Sequence, residues 1–377
     1  MKVLVLASWY PSPMWEDLGD FVEKQVNALN KNGIETDVIY PNIYSPKRIL
    51  KCKKISLGIK KDRRNNNSVY IGYGIKTHLN SFDSYRTKRL GQKLFKLYVK
   101  ENGLPDIIHL HNFMAGDLAV WIKNKYGIPY IVTEHYTGFA RNIVTPFEKK
   151  IAGRVFENSS RNIAVSEPFR KILEDVTNKT FITIPNLIDT DYFIPGGSKF
   201  DHYTFINVAD VVPKKNQQLL LRAISKLVEK GLDIRCIFVG DGPDKKGLEN
   251  LAVSLGIDRF VTFTGFKPRS EVKTLLQKSH CFVLPSLHET FGIVVIEALA
   301  AGIPVIATPS GGPEWILKNS NVGQIIDWNI EELTQAMEDW MTISINSDTL
   351  HSWVVDNYSD RVICQSLKKL YKEVLDC

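Results

Sequence analysis

The sequence predicts an α/β protein made of two tandem doubly wound domains, and three observations predict it. Short apolar runs alternate with amphipathic ones along nearly the whole chain, which implies strands alternating with helices and so parallel sheets covered on both faces. The length of 377 residues exceeds the roughly 100 to 200 residues of a single domain. Near the middle the alternation is broken by PNLIDTDYFIPGGSKFD (residues 185–201), whose Pro, Gly and Asp content marks a linker.

The elements follow in order. KVLVLAS (2–8) reads as a buried strand, FVEKQVNALNKNG as a helix ending at Gly33, and ETDVIYP as the next strand. DIIHLHN, a helical run ending near Gly127, YIVTEH and RNIAVS continue the series, each bounded by Gly, Pro or a polar turn. The second series runs TFINVAD, QQLLLRAISKLVEKG, IRCIFVGDG, KKGLENLAVSLG, FVTFTGF, EVKTLLQKS and HCFVLPS. A helix from about Gly292 to Gly302, with Pro304 beyond it, and the strand in IPVIATPSGG complete it. From residue 359 onward Val362, Ile363, Leu367, Leu370, Tyr371 and Val374 recur at helical spacing. The predicted division is therefore 1–190, 191–358, and a closing helix over 359–377 that packs back on the first domain. No solenoid-type repeat or low-complexity tract interrupts this pattern.

Composition narrows the class. With 44% hydrophobic and 24% charged residues the chain reads as a soluble globular protein. Cys52, Cys236, Cys281, Cys364 and Cys377 are odd in number and form no CxxC pair, which favours reduced thiols in a cytoplasmic protein over a disulfide frame or a zinc site. The apolar run after Lys2 is too short for a signal peptide, and no stretch has the length and apolarity of a membrane span. The net charge of +7 is unevenly placed: residues 41–100 carry sixteen Lys and Arg against Asp62 and Asp83, which leaves the rest of the chain net acidic. Two expectations fit this excess. One is electrostatic attachment to an anionic membrane surface, each basic residue contributing about 1 kcal/mol; the other is a solvated, loop-rich surface in which RRNNN is an exposed turn. Nucleic acid is not an expected partner, because no nucleic-acid module accompanies the charge.

In doubly wound sheets ligands bind where strand ends lead into helix N-termini. HETFGIVVIEALAAGIPVIA (288–307) lies at such a place and holds two glutamates, Glu289 before the helix and Glu297 on it, in an otherwise apolar stretch. A buried carboxylate without a partner costs several kcal/mol, so a ligand is a natural partner for both. The amides of Phe291, Gly292 and Ile293 at the helix start form an anion site suited to a diphosphate, and Glu297 is placed to accept ribose hydroxyls.

E-x7-E with Phe-Gly after the first Glu, followed by EALAAGIPVIAT and GGPE, resembles the donor-site signature of retaining glycosyltransferases of family 4. VGDGP, FTGF, PSLHETFG, IPNLID and the loop before LGDFVEKQVNAL extend the resemblance over the chain. It implies the GT-B fold, two Rossmann-like domains with an interdomain cleft, the first binding the acceptor and the second the nucleotide-sugar donor. It further implies that Glu289 meets the donor sugar, Glu297 the ribose, and Lys215 the diphosphate, with Lys214 a near-equal candidate. Gly240 and the segment Thr264, Gly265, Phe266 are expected around the donor, the latter beside the base. Gly19 would let the backbone approach the diphosphate, and His135 matches a histidine on the acceptor side of the reaction centre.

The chain departs from the pattern at Asp210, where an arginine usually accompanies the lysine, and at Asn186-Leu187, where Asn-Gly is common. His109 and His111 lie two apart on a strand and so on one face; packing and hydrogen bonding are favoured there over a metal pair. Asp189-Thr190-Asp191 reads D-x-D, a metal-diphosphate motif in other glycosyltransferases, but its place in the linker favours a turn. The expected activity is retaining hexosyl transfer from a nucleotide-diphosphate sugar, UDP ahead of GDP, to a saccharide or lipid-linked acceptor, in synthesis of a bacterial surface polysaccharide or glycolipid. No metal or other cofactor is expected, and the expected location is cytoplasmic or peripheral at the inner face of the membrane. Alternatives are a nucleotide-sugar epimerase of the same fold and a non-catalytic nucleotide-sugar or glycan-binding subunit.

Overall fold

The computed structural model describes residues 1–13, 18–51, 57–65, 67–318 and 321–376. Cys52, Lys53, Lys54 and Cys377 lie outside the described residues. The chain forms two compact units, Met1–Leu187 joined by the segment from Asp360 onward, and Ile188–Ser359.

In the first unit β1 (Lys2–Ala7), α1 (Asp20–Lys31), β2 (Glu35–Tyr44) and α2 (Pro46–Lys51) are followed by β3 (Gly58–Arg64), β4 (Asn67–Ile75) and the long α3 (Asn80–Asn102). Then come β5 (Ile107–His111), α4 (Gly116–Tyr126), β6 (Tyr130–Glu134), α5 (Pro146–Asn158), β7 (Arg161–Ala164), α6 (Glu167–Thr177) and β8 (Ile182–Thr183). The strands make one sheet of order β3-β4-β2-β1-β5-β6-β7-β8, parallel except for β3. Val3 of β1, Ile107, Ile131 and Ile163 face α1 and the final helix, α14 (Asp360–Leu375), whose Ile363, Leu367, Leu370, Tyr371 and Val374 are all buried. Burying one such side chain contributes about 1.5–3 kcal/mol, so α14 is an integral part of this unit's core. α3 covers β2 and β4 on the sheet.

The second unit contains β9 (Tyr203–Val208), α7 (Gln217–Glu229), β10 (Ile234–Val239), α8 (Lys245–Ser254), β11 (Val261–Gly265), α9 (Arg269–Lys278) and β12 (Cys281–Leu284). α10 (Ile293–Ala300), β13 (Val305–Ala307), α11 (Gly312–Leu317), β14 (Gly323–Ile325), α12 (Ile330–Trp340) and α13 (Ser347–Tyr358) complete it. Its strands are all parallel, in the order β11-β10-β9-β12-β13-β14. Phe205, Cys236, Val283 and Ile306 pack against α7 and α12 through Leu220, Ile224 and Met337. The strand order reverses beside β9, and there the loops after β9 and β12 leave the sheet.

Three expectations need correction. The first unit ends at Leu187 rather than at 190, because Ile188 already pairs with Ser359 and its amide donates to the Tyr358 carbonyl at 2.9 Å. β2 does not stop at Pro41 but runs through it to Tyr44. It pairs with β1 only as far as Ile39, so proline's missing N–H falls where β4 is the sole neighbour. The described residues of 41–100 are not loop-rich: they hold the β3–β4 hairpin, with Asn65 in the left-handed region at φ 51, and the 23 residues of α3. Among the described residues no helix is long and apolar enough to cross a membrane.

Candidate active site

Lys215 and Glu289 meet. Lys215 closes a short 3-10 turn after β9, Glu289 stands on the loop between β12 and α10, and the Leu287 amide donates to the Lys214 carbonyl at 2.8 Å, joining the two loops. Lys215 Nζ lies 2.5 Å from Glu289 Oε1, with 12% and 9% of the side chains exposed. Glu289 is fixed from behind as well: its amide donates to Ser310 at 2.8 Å, and its carbonyl accepts from Gly312 at 3.1 Å. α10 starts at Gly292, φ 91, with no side-chain cap, leaving the helix dipole and first-turn amides for an anion. Phe291 is buried between Trp315 and Tyr358, ring centroids 6.2 and 5.8 Å away, and anchors the loop. Glu297, on α10, is buried, and its Oε1 lies 3.9 Å from Arg269 Nη2.

Other predicted donor residues have roles inside the fold. A Cβ on Gly240 (φ 136) would lie 2.0 Å from the Ala209 carbonyl oxygen, and the Gly240 amide donates to Gly265 at 3.0 Å, so glycine is required where β9, β10 and β11 converge. The Thr264 hydroxyl donates to the Gly265 carbonyl at 2.9 Å, while Phe266 is exposed. Asp210 is exposed and its carbonyl accepts from Gln217 Nε2 at 3.0 Å. In the D-x-D stretch Asp189 Oδ1 accepts from the Tyr192 amide at 3.0 Å, so this carboxylate builds a turn.

The first unit gathers three histidines. His111 Nδ1 lies 3.1 Å from His135 Nε2, His111 Nε2 is 3.4 Å from Gln25 Nε2, and His109 bridges Tyr371 of α14 and Thr133 at 2.7 Å each. All three rings are buried, and burial holds His109 and His135 well below the usual imidazole range and His111 down to about 3. His109 and His111 share one face as expected, with ring centroids 4.3 Å apart, and both are engaged in hydrogen bonds. Beside them Glu134 accepts from the amides of Phe113, His135 and Tyr136 and from Asn112 Nδ2, at 2.8 to 3.2 Å. Burial pushes its carboxyl up to about 7 against the opposing pull of those amides. Glu134 thereby ties the loop after β5 to the loop that carries His135.

A cleft of about 800 Å³ opens at the carboxyl ends of β1, β2 and β5, walled by Trp9, Tyr44 and Phe113, with Lys76, Asp83 and Glu148 among its charged groups. Gly19, φ 76, begins α1 beside it. A Cβ there would lie 2.4 Å from the Trp9 carbonyl oxygen, so the close approach that Gly19 permits is to the chain's own cleft-lining loop. Arg64 secures the same loop by pairing with Glu23 of α1 at 2.8 Å and donating to the Pro11 carbonyl at 3.2 Å.

Sequence reasoning missed Glu134, Arg64, Tyr371 and Arg269. Glu134 carried a signal, an acid at the end of an apolar strand, of the same kind that singled out Glu297. The other three had none, since their partners lie 28 to 262 positions away in the chain and in other elements.

Residues 19–192 match the family model described as Glycosyltransferase Family 4, and residues 190–354 that described as Glycosyl transferases group 1. Among curated relatives, the "Putative teichuronic acid biosynthesis glycosyltransferase TuaC" of Bacillus subtilis (strain 168) is 29% identical over 83% of this chain and 82% of its own length. Alpha-monoglucosyldiacylglycerol synthase of Acholeplasma laidlawii is 26% identical over 77% and 79%. Anabaena HepE, solved in complex with UDP and glucose, superimposes with a TM-score of 0.74 at 17% identity, covering 99% of both chains. Two parallel-sheet units, a lysine-glutamate couple at an uncapped helix start and two family models spanning consecutive halves converge: the chain belongs to the family 4-type glycosyltransferases and has the GT-B fold.

Proposed function

We propose that the chain is a retaining glycosyltransferase that moves a sugar from a nucleotide-diphosphate sugar, UDP ahead of GDP, to a hydroxyl of a saccharide or lipid-linked acceptor. The observation that carries this is the Lys215–Glu289 couple beside the uncapped start of α10, with the buried Glu297 further along the same helix. Lys215 and the helix amides hold the diphosphate and offset charge developing on the departing phosphate, commonly the largest catalytic term. Glu289 positions the donor sugar, and Glu297 accepts the ribose hydroxyls. Lys214, Gly240 and the Thr264–Phe266 segment border the donor, and the first unit, with its cleft and His135, receives the acceptor. The bond from the sugar's anomeric carbon to the phosphate oxygen breaks as the acceptor oxygen bonds to that carbon on the same face. The acceptor proton passes to the departing phosphate oxygen, so no enzymatic nucleophile and no metal ion take part.

The names of the relatives, one in teichuronic acid biosynthesis and one a glucosyldiacylglycerol synthase, support a surface polysaccharide or glycolipid product. HepE's complex with UDP supports a uridine donor. A cytoplasmic enzyme held at the inner membrane face is supported by the start of α3, where Phe82 and Tyr85 are exposed beside Arg86 and close in sequence to the exposed Leu79. A panel of UDP-, GDP- and ADP-sugars, scored by thermal shift and by slow donor hydrolysis in EDTA, tests the proposal. UDP-sugars should stabilise the protein most, and Glu289→Ala or Lys215→Ala should abolish hydrolysis. No stabilisation by any nucleotide sugar defeats the proposal, and loss of turnover in EDTA defeats its metal-free form.

A further inference from the structure

Arg269 opens α9 within KPRSE, and in the fold it is enclosed rather than solvated. Its guanidinium carbon stands 4.7 Å from the centroid of the Tyr192 ring and 4.8 Å from that of Phe193. The two rings are themselves edge to face, centroids 5.2 Å apart and planes at 83°, and the guanidinium sits in the corner they form, attracted to both. Nε and Nη2 are buried and have no hydrogen-bond acceptor among the described residues. The guanidinium is therefore located by the rings and not by its own hydrogen bonds, and Nη2 faces Glu297 Oε1 at 3.9 Å.

That separation has a chemical meaning. A guanidinium bound to a carboxylate at ordinary hydrogen-bond length occupies the oxygen lone pairs. At 3.9 Å the cation holds the carboxylate by charge while leaving those lone pairs to other donors. The turn that carries Tyr192 and Phe193 is braced in its own right, since the Phe193 amide donates to the Asp189 carbonyl at 3.1 Å and Phe193 is fully buried. Lys273 Nζ also stands 5.0 Å from the Tyr192 ring centroid, which pins that ring further.

We propose that Arg269 is a positioning residue for Glu297: held in the corner made by Tyr192 and Phe193, it orients the carboxylate so that the site distinguishes a ribonucleotide donor from a deoxyribonucleotide. This rests on the assignment of Glu297 to the ribose proposed above. Arg269 does not touch the nucleotide; it acts through Glu297. Its removal should therefore alter the preference between sugars of the nucleotide more than overall folding.

The test is calorimetric binding of UDP, 2′-deoxy-UDP and 3′-deoxy-UDP to the full chain and to Glu297→Gln, Arg269→Gln and Arg269→Lys. The unaltered protein should prefer UDP over each deoxy analogue by roughly ten- to a hundredfold, the span of a hydrogen bond to a charged group. Glu297→Gln should bring the three affinities together. Arg269→Gln should reduce the preference to about threefold or less, with Arg269→Lys between it and the unaltered protein. If Glu297→Gln collapses the preference and both Arg269 variants retain it in full, the positioning role is overturned. If Glu297→Gln itself leaves the preference intact, the ribose assignment fails, and the present proposal with it.

Discussion

Removing Lys215 alone strands a carboxylate. The Lys215–Glu289 pair is close, 2.5 Å, and its side chains are only 12% and 9% exposed, so solvent screens it little. The bare attraction at an effective dielectric of 20 is about 7 kcal/mol, most of it offset by the desolvation of the two ions. What survives on truncating one partner is the uncompensated charge, about 3–5 kcal/mol. Lys215→Met and Glu289→Gln should each cost that much, whereas the double variant, which leaves no buried charge, should lie within about 1 kcal/mol of the starting protein. The interaction energy from the cycle is then about 5 kcal/mol or more. Two units need not unfold together, so the assay is urea denaturation followed by hydrogen exchange of the β9 and β12 amides, which report on the second unit. Single-variant losses that add to within about 0.5 kcal/mol of the double would refute a coupled pair. The same variants bear on function, since UDP should raise the stability of the unaltered protein by more than that of Lys215→Met.

Other outcomes follow from the first unit. His109, His111 and His135 are held neutral, so their stability is full above pH 6.5 and is lost as pH falls; Glu134, raised to about 7, acts oppositely, losing stability as pH rises from 4.5 to 7. Between pH 6.5 and 4.5 unfolding should therefore take up protons at the imidazoles and release one from Glu134, so stability falls with falling pH and Glu134→Gln should steepen the fall; an unchanged slope in urea titrations across pH 4.5–6.5 counts against the buried cluster. Gly19→Ala places a methyl 2.4 Å from the Trp9 carbonyl oxygen at φ 76, so a loss of about 1–3 kcal/mol is expected in thermal unfolding, and an unshifted midpoint would contradict it. Anionic liposomes should sediment the protein at low salt, less at high salt, and less again with Arg86→Glu and Arg89→Glu; equal binding to neutral liposomes would rule out electrostatic attachment.

How much was legible in the sequence depended on whether the pattern was local. β1, β5, β6, β9 and β12 are short runs buried on both faces along nearly their whole length, and they were readable at once, as was β10, whose burial alternates. β3 was not, because an edge strand such as GIKKDRR is charged and exposed along most of its length, as edges that resist aggregation are. α3 hid behind its weak stripe: across 23 residues its buried side includes Asp83 and Gly91 between larger groups. At the site, Glu289 and Glu297 stood out because charge in apolar sequence is conspicuous, whereas Lys215, in the polar run PKKNQQ, was reached only through the family resemblance. Arg269 sat in an ordinary polar turn, and only the fold brings Tyr192 and Phe193 across it.

The passage from β8 into the second unit and the return into α14 have a use in protein engineering. Both crossings lie on one short parallel bridge, Ile188 with Ser359, so the second unit is a continuous cassette whose two ends are already paired. A chimera cut at 187/188 and 359/360 would exchange that cassette whole while keeping α14 in its native core. Donor preference would then become a property to be transplanted, and any change in the product sugar could be ascribed to the 172 grafted residues from Ile188 to Ser359.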